Sequence, residues 1–307
     1  MTTIGVFDSG FGGLTVLREL LPLNGGANYI YLGDTARLPY GSKSHETIAR
    51  YAVSSARFLH EQGADFLVIA CNTATALALD DIKATVPIPI LGVIEPGAQA
   101  ALTASKSSNR EVKKSSVIPS QVPERAGGES NGSESRNPRI SPDAPPTSKG
   151  NHVLVLATSA TTQSHAYARA LNTLGLRATE KACPLLVPLI EEGWTSHSVT
   201  AEVLRIYLLE ALAEAPDASI LLLGCTHYPL LRPLLNTTLH ELHHPMHVID
   251  SAESTAKAVA TYLPSSTTHT PPTCTFYATD SIEKFGRLGS AFLGQPLNEV
   301  HLLDLGG

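Results

Sequence analysis

The chain has 307 residues, 43% of them hydrophobic, and a formal net charge of −6. That length accommodates about two domains and a sizeable buried core. The mildly acidic, mixed charge excludes a broad polyanion-binding surface, so no nucleic-acid partner is expected, and no apolar run is long enough to span a bilayer, so no membrane partner is expected either. The opening residues lack a basic start followed by a long apolar stretch, so a cytoplasmic protein without a secretory leader is expected.

In chain order, short apolar runs at 4–7, 29–32, 66–70, 90–94, 153–157, 220–224, 247–250 and 275–278 read as strands. Several are nearly continuous in apolar character, which suits strands covered on both faces of a parallel sheet. Helix-length segments separate them. The clearest spans 44–62, where Ile48, Tyr51, Ala52, Ser55, Ala56, Phe58 and Leu59 share one face at helical spacing. Ser44 suits its N-cap and Gly63 its left-handed stop. The alternation predicts an α/β fold with mainly parallel sheets.

One segment breaks the pattern. Residues 103–150 contain eleven Ser, six Pro and no Phe, Trp or Tyr. Such a stretch has little to bury against the entropy of ordering itself, and it reads as a disordered insertion. A second polar stretch, 264–273, reads as a loop before the last strand.

The four cysteines are Cys71, Cys183, Cys225 and Cys274, with no Cys-x-x-Cys pair. They are too few for a disulfide scaffold and lack zinc-finger spacing. The histidines around 240–247 come with no cysteine or acidic shell, so no metal site is expected. Gly12-Gly13 lacks the full G-x-G-x-x-G pattern, so no dinucleotide cofactor is expected. Two of the cysteines stand out. FLVIACNTATA at 66–76 and LLLGCTHYP at 221–229 each run from apolar strand to small residue to Cys to polar residues. The echo suggests two similar half-structures.

In doubly wound sheets ligands bind beyond the carboxyl ends of the strands. Cys71 and Cys225 stand at such ends, as do Asp8, Ser9 and Asp34. Two opposed thiols suit inversion of an α-carbon, because one can act as base while the other acts as acid. A free thiol titrates near ~8.5, so a modest shift makes it useful near neutrality, and helix starts after each Cys would help hold a thiolate. Each feature also has a plain structural reading: Asp8-Ser9 as a turn, Tyr40-Gly41 as a turn, each Cys as a small buried hydrophobe.

At this point the runs GVFDSGFGGLTVLREL at 5–20, YLGDTARLPYG at 31–41, VIACNTATA at 68–76, GVIEPG at 92–97, ACPLLVPLIEEG at 182–193 and LLGCTHYPLL at 222–231 become informative together. In this order they resemble the glutamate racemases of the aspartate/glutamate racemase superfamily. The resemblance implies two similar α/β domains with the active site in the cleft between them. It divides the chain into residues 1–95 plus 251–307 and residues 96–250, the latter carrying the insertion.

It also implies roles. Cys71 and Cys225 would be the acid/base pair, with Asp8 assisting the first and His227 the second. Glu191 or Glu192 would support His227, with Glu191 preferred. Asp8, Ser9, Tyr40, Gly41, Asn72, Thr73, Thr226 and His227 would hold the amino acid, with Thr158 and Thr161 as further contacts. The implied reaction is cofactor-independent interconversion of L- and D-glutamate for peptidoglycan synthesis, with glutamate as the small-molecule partner. Apart from the resemblance, a homodimer is the expected assembly only because homodimers are common among soluble enzymes. Sibling reactions on aspartate or hydantoins, malonate decarboxylation, and a non-catalytic binding protein on the same fold are the rivals.

Overall fold

The computed structural model describes residues 2–23, 27–115, 150–262, 272–297 and 299–306. The elements in order are β1 (Thr3–Asp8), α1 (Leu14–Leu20), β2 (Asn28–Gly33), α2 (His45–Glu61), β3 (Phe66–Ile69), α3 (Asn72–Thr85), β4 (Ile90–Gly92) and α4 (Ile94–Ser115). Then come β5 (His152–Ala157), α5 (Ser159–Ser164), α6 (Ala166–Thr173), β6 (Arg177–Ala182), α7 (Leu186–Glu191), α8 (Ser198–Glu214), β7 (Ile220–Gly224), α9 (Arg232–Glu241) and β8 (His247–Asp250). The chain closes with α10 (Ser251–Ala260), β9 (Cys274–Ala278), α11 (Ile282–Leu293) and β10 (Val300–Leu302).

The strands form two sheets. One has the order β10-β9-β2-β1-β3-β4 and the other β6-β5-β7-β8, and every strand pair is parallel. The mixed α/β architecture with mainly parallel sheets is the one expected from the alternation of elements. Alternate residues of a strand point to opposite faces, and both faces are buried. In β7, Leu221 and Leu223 join one core, which also takes in Ile4, Val6 and Tyr31 of the first sheet. Ile220 and Leu222 enter a separate core with α4 and α6 residues such as Ala98, Ala101 and Tyr167. The opposite face of the first sheet is closed by α2 and α3.

Local signals set several boundaries. The Ser44 side chain accepts from the Thr47 amide to start α2, and Gly63 takes φ +91° just past its end. Two half-exposed edge strands, β6 and β10, carry no apolar run and were not legible as strands. The expected insertion at 103–150 is corrected in part. Residues 103–115 continue α4 rather than leaving it. Helix continuity wins there because Ala101 and Ser105 sit on its buried side. Residues 116–149 lie outside the described residues, as do 264–271 of the second polar stretch.

Candidate active site

Carboxyl ends of β1, β3, β5 and β7 bring the site together. Cys71 follows β3 and caps α3: its sulfur accepts from the Ala74 amide at 3.4 Å. Its thiol lies 3.5 Å from Ser9 Oγ. Asp8 ends β1, is fully buried, and accepts from the Gly10 amide at 2.9 Å. Burial raises the Asp8 pKa, and the charge of His227 and the Gly13 and Gly10 amides only partly offset it. Burial, with the negative charge of Asp8 adding to it, pushes the Cys71 thiol up to about 12.

The second thiol has different company. Cys225 follows β7, and its sulfur is 3.9 Å from His227 Nδ1. His227 Nε2 reaches Glu191 Oε1 at 3.1 Å, while Glu191 Oε2 is 3.6 Å from Lys284 Nζ on α11. The ring of His227 stands edge-on to Phe292 at 5.0 Å. Desolvation alone would lower the His227 pKa, but its bonds to Cys225 and Glu191 outweigh burial and lift it to about 10. Burial works against the charge of Glu191 as well, yet His227 and Lys284 carry its pKa below the ordinary value.

The two sides meet at Asp8. Thr226 Oγ1 donates to Asp8 Oδ1 at 3.5 Å, and Thr15 Oγ1 donates to the Thr226 carbonyl at 3.1 Å. Gly12 makes the approach possible: a Cβ there would lie 2.1 Å from Thr226 Oγ1 and 2.5 Å from His227 Nδ1. A second bridge consists of hydroxyls. Thr73 of α3 contacts Thr158 at 3.0 Å and Thr161 at 3.1 Å, and those two are 3.0 Å apart. Gly41 comes so close to Thr158 that a Cβ would be 2.9 Å from its Cβ.

The structure thus brings Asp8, Ser9, Cys71, Asn72, Thr73, Thr158, Thr161, Cys225, Thr226, His227 and Glu191 into one connected set of contacts, with Gly41 against Thr158. Glu191, rather than its neighbour Glu192, bonds His227. Tyr40 is buried beside the set, and its phenol proton is committed to Asp34 at 2.5 Å. One expectation is corrected: no α-helix starts directly after Cys225. A 3₁₀ turn, Tyr228–Leu231, intervenes, and α9 begins at Arg232. Pro229 and Pro233 each sit in the first turn of their element, where a missing N–H costs nothing. Sequence reasoning also passed over Thr15, Tyr167 and Lys284, whose spacing marks them only as helix residues. Among the described residues, no three His, Cys, Asp or Glu side chains converge as a metal set.

Two buried thiols at the ends of strands in two parallel sheets, tied through one carboxylate, define a class. The sequence profile of the Asp/Glu/hydantoin racemases matches residues 14–112 and 146–259, and the chain belongs to that family of isomerases. A glutamate racemase from Koribacter versatilis is 46% identical over 99% of this chain and 98% of its own length. Two solved structures are similar throughout. The glutamate racemase of Francisella tularensis, in complex with D-glutamate, has a TM-score of 0.76 at 28% identity, over 99% of this chain and 98% of its own. A glutamate racemase isoform from Bacillus anthracis has a TM-score of 0.77 at 30% identity, with the same coverage. Within its family the chain falls among the glutamate racemases, and it is an amino-acid racemase.

Proposed function

We propose that this protein interconverts L- and D-glutamate by 1,1-proton transfer between Cys71 and Cys225, without a cofactor. The observation that carries the reading is the pairing of two buried strand-end thiols about one buried carboxylate, Asp8. One sulfur, as thiolate, takes the α-proton and becomes a thiol. The electron pair left on the α-carbon delocalises into the α-carboxylate. The opposite thiol then delivers its proton to the other face and becomes the thiolate. Atoms and charge balance, and proton exchange with water resets the pair.

The flanking groups divide the labour. His227, held by Glu191, supplies a proton-bearing positive group beside Cys225. Asp8 does the opposite beside Cys71, where its negative charge favours the protonated thiol. Charge developing on the substrate carboxylate needs preplaced donors. Ser9, Asn72, Thr73 and Thr226, with Thr158, Thr161 and the Tyr40-Gly41 turn, are the groups assigned to hold the amino acid. The Francisella relative's complex with D-glutamate supports that substrate. Product D-glutamate would serve peptidoglycan synthesis in the cytoplasm, and a homodimer is the proposed assembly. The proposed domains are 1–95 with 251–307, and 96–250. Sheet membership supports the division, because β1–β4, β9 and β10 share one sheet and β5–β8 the other.

The test is proton NMR of purified protein with L-glutamate in D₂O, no cofactor added, followed by chiral analysis. Loss of the α-proton signal with appearance of D-glutamate is expected. Exchange with aspartate but not glutamate would overturn the substrate assignment, and no exchange with either would overturn the catalytic reading.

A further inference from the structure

Tyr167, on α6, is fully buried and belongs to none of the groups assigned above. Its hydroxyl donates to Asn72 Oδ1 at 2.5 Å, across to the residue that follows Cys71. Its ring meets the residue that precedes Cys225: a Cβ on Gly224 would lie 2.9 Å from Tyr167 Cε2. It also flanks both points where the chain passes between the sheets. A Cβ on Gly97, in α4, would be 3.5 Å from the ring and 3.7 Å from Cβ of Ser251, the first residue of α10, which lies beside the phenol. A single side chain therefore touches the approach to each thiol and both crossovers.

The direction of these bonds has a chemical consequence. An Asn amide offers one acceptor oxygen and a two-proton donor nitrogen, and its neighbours decide which end faces where. The phenol spends its only proton on Asn72 Oδ1. The amide oxygen is thereby occupied, and the amide orientation is set. Asn72 Nδ2 is left buried with no hydrogen-bond partner among the described residues. A buried donor without a partner is costly unless a ligand acceptor completes it.

We propose that Tyr167 is a positioning residue that locks the Asn72 amide with its NH₂ toward the substrate, so that the site demands an acceptor there: a carboxylate oxygen of the amino acid. The inference rests on the assignment of Asn72 to substrate binding made above. It assigns Tyr167 to recognition rather than proton transfer, since its phenol touches neither sulfur in the contacts described. Because Tyr167 acts on the amide and not on either face of the α-carbon, its effect falls equally on both enantiomers.

The experiment is steady-state racemisation of each enantiomer by Tyr167→Phe, Asn72→Ala and the double variant, with thermal unfolding of each. Phe keeps the ring contacts with Gly224 and Gly97 and removes only the hydroxyl. Losing one such hydrogen bond predicts a KM raised roughly ten-fold for both L- and D-glutamate, with kcat within about three-fold of the parent. The double variant should be no worse than Asn72→Ala, since Tyr167 acts through that amide. Asn72→Asp, which replaces the donor by an acceptor, should bind worse than Asn72→Ala. A lowered melting temperature with KM unchanged in Tyr167→Phe, while Asn72→Ala raises KM, would overturn this proposal and leave the substrate assignment standing. Unchanged KM in Asn72→Ala would overturn the assignment of Asn72 itself, and this proposal with it.

Discussion

The surroundings of Cys71 and Cys225 are built on the same plan and charged in opposite ways. Each thiol follows a buried parallel strand and precedes a helical turn. Around Cys71 the neighbours are a carboxylate and hydroxyls, Asp8, Ser9 and Thr73, and the thiol is pushed up to about 12. Around Cys225 the neighbours form a relay of alternating sign: His227, Glu191, Lys284. Two similar half-structures need not have similar chemistry. On the proposed two-thiol mechanism the difference is useful, because one thiol rests protonated while a positive group attends the other.

The largest effect is expected from breaking one side at a time. Cys71→Ser and Cys225→Ser should each lose racemisation by roughly 10³-fold, in line with removal of an acid/base group. Each should still wash out the α-proton of one enantiomer in D₂O, and opposite enantiomers for the two variants. Equal, undiminished washout of both enantiomers by Cys71→Ser would remove that residue from the mechanism.

A second contrast concerns stability and pH. His227 titrates higher in the fold than its ordinary 6.5, at about 10. The folded state therefore holds a proton that the unfolded state has released between those values. Its contribution to stability is full below pH 6.5 and is lost as pH rises through about 10. His227→Gln should remove this slope, so urea midpoints of parent and variant should converge from pH 6.5 towards 10. Asp8 has a raised pKa for a different reason, burial of its charge. Asp8→Asn should therefore keep or gain thermal stability at neutral pH while activity falls by roughly 10²-fold. A large loss of melting temperature in that variant would contradict the assigned cause.

The smallest effect belongs to Lys284. Its ammonium is half-exposed, 3.6 Å from Glu191 and 5.6 Å above the Phe11 ring. Solvent weakens such pairs, so Lys284→Met should lower kcat/KM by only about three-fold, and Lys284→Arg should restore it. The loss should shrink as salt rises. A salt-independent loss would mean that the lysine acts by packing and not by charge.

Much of this was legible without coordinates. Apolar runs marked the interior strands because both faces of a parallel strand are buried, and Cys71 and Cys225 were visible as paired strand-end residues. The edge strands β6 and β10 were hidden because half-exposed positions tolerate polar side chains such as those of Arg177–Ala182. The start of the 103–150 stretch misled for the converse reason: its composition is polar, yet α4 runs on through residues 103–115. The turn at Tyr228–Leu231 was missed because prolines signal where an element starts and not which kind it is.

What the sequence by itself determined is local: the alternation of elements, the caps at Ser44 and Gly63, and the pairing of chemistry-bearing residues with strand ends. Periodicity and chain entropy act over a few residues, so they can be read from a few residues. Only the tertiary structure decided which of those ends meet. Asp8 reaches Thr226 across 218 positions of sequence, Tyr167 reaches Asn72 across 95, and Glu191 rather than Glu192 turns to His227. Those choices follow from how two separate sheets pack at Gly12 and Gly41, where the absence of a Cβ lets the halves close on each other.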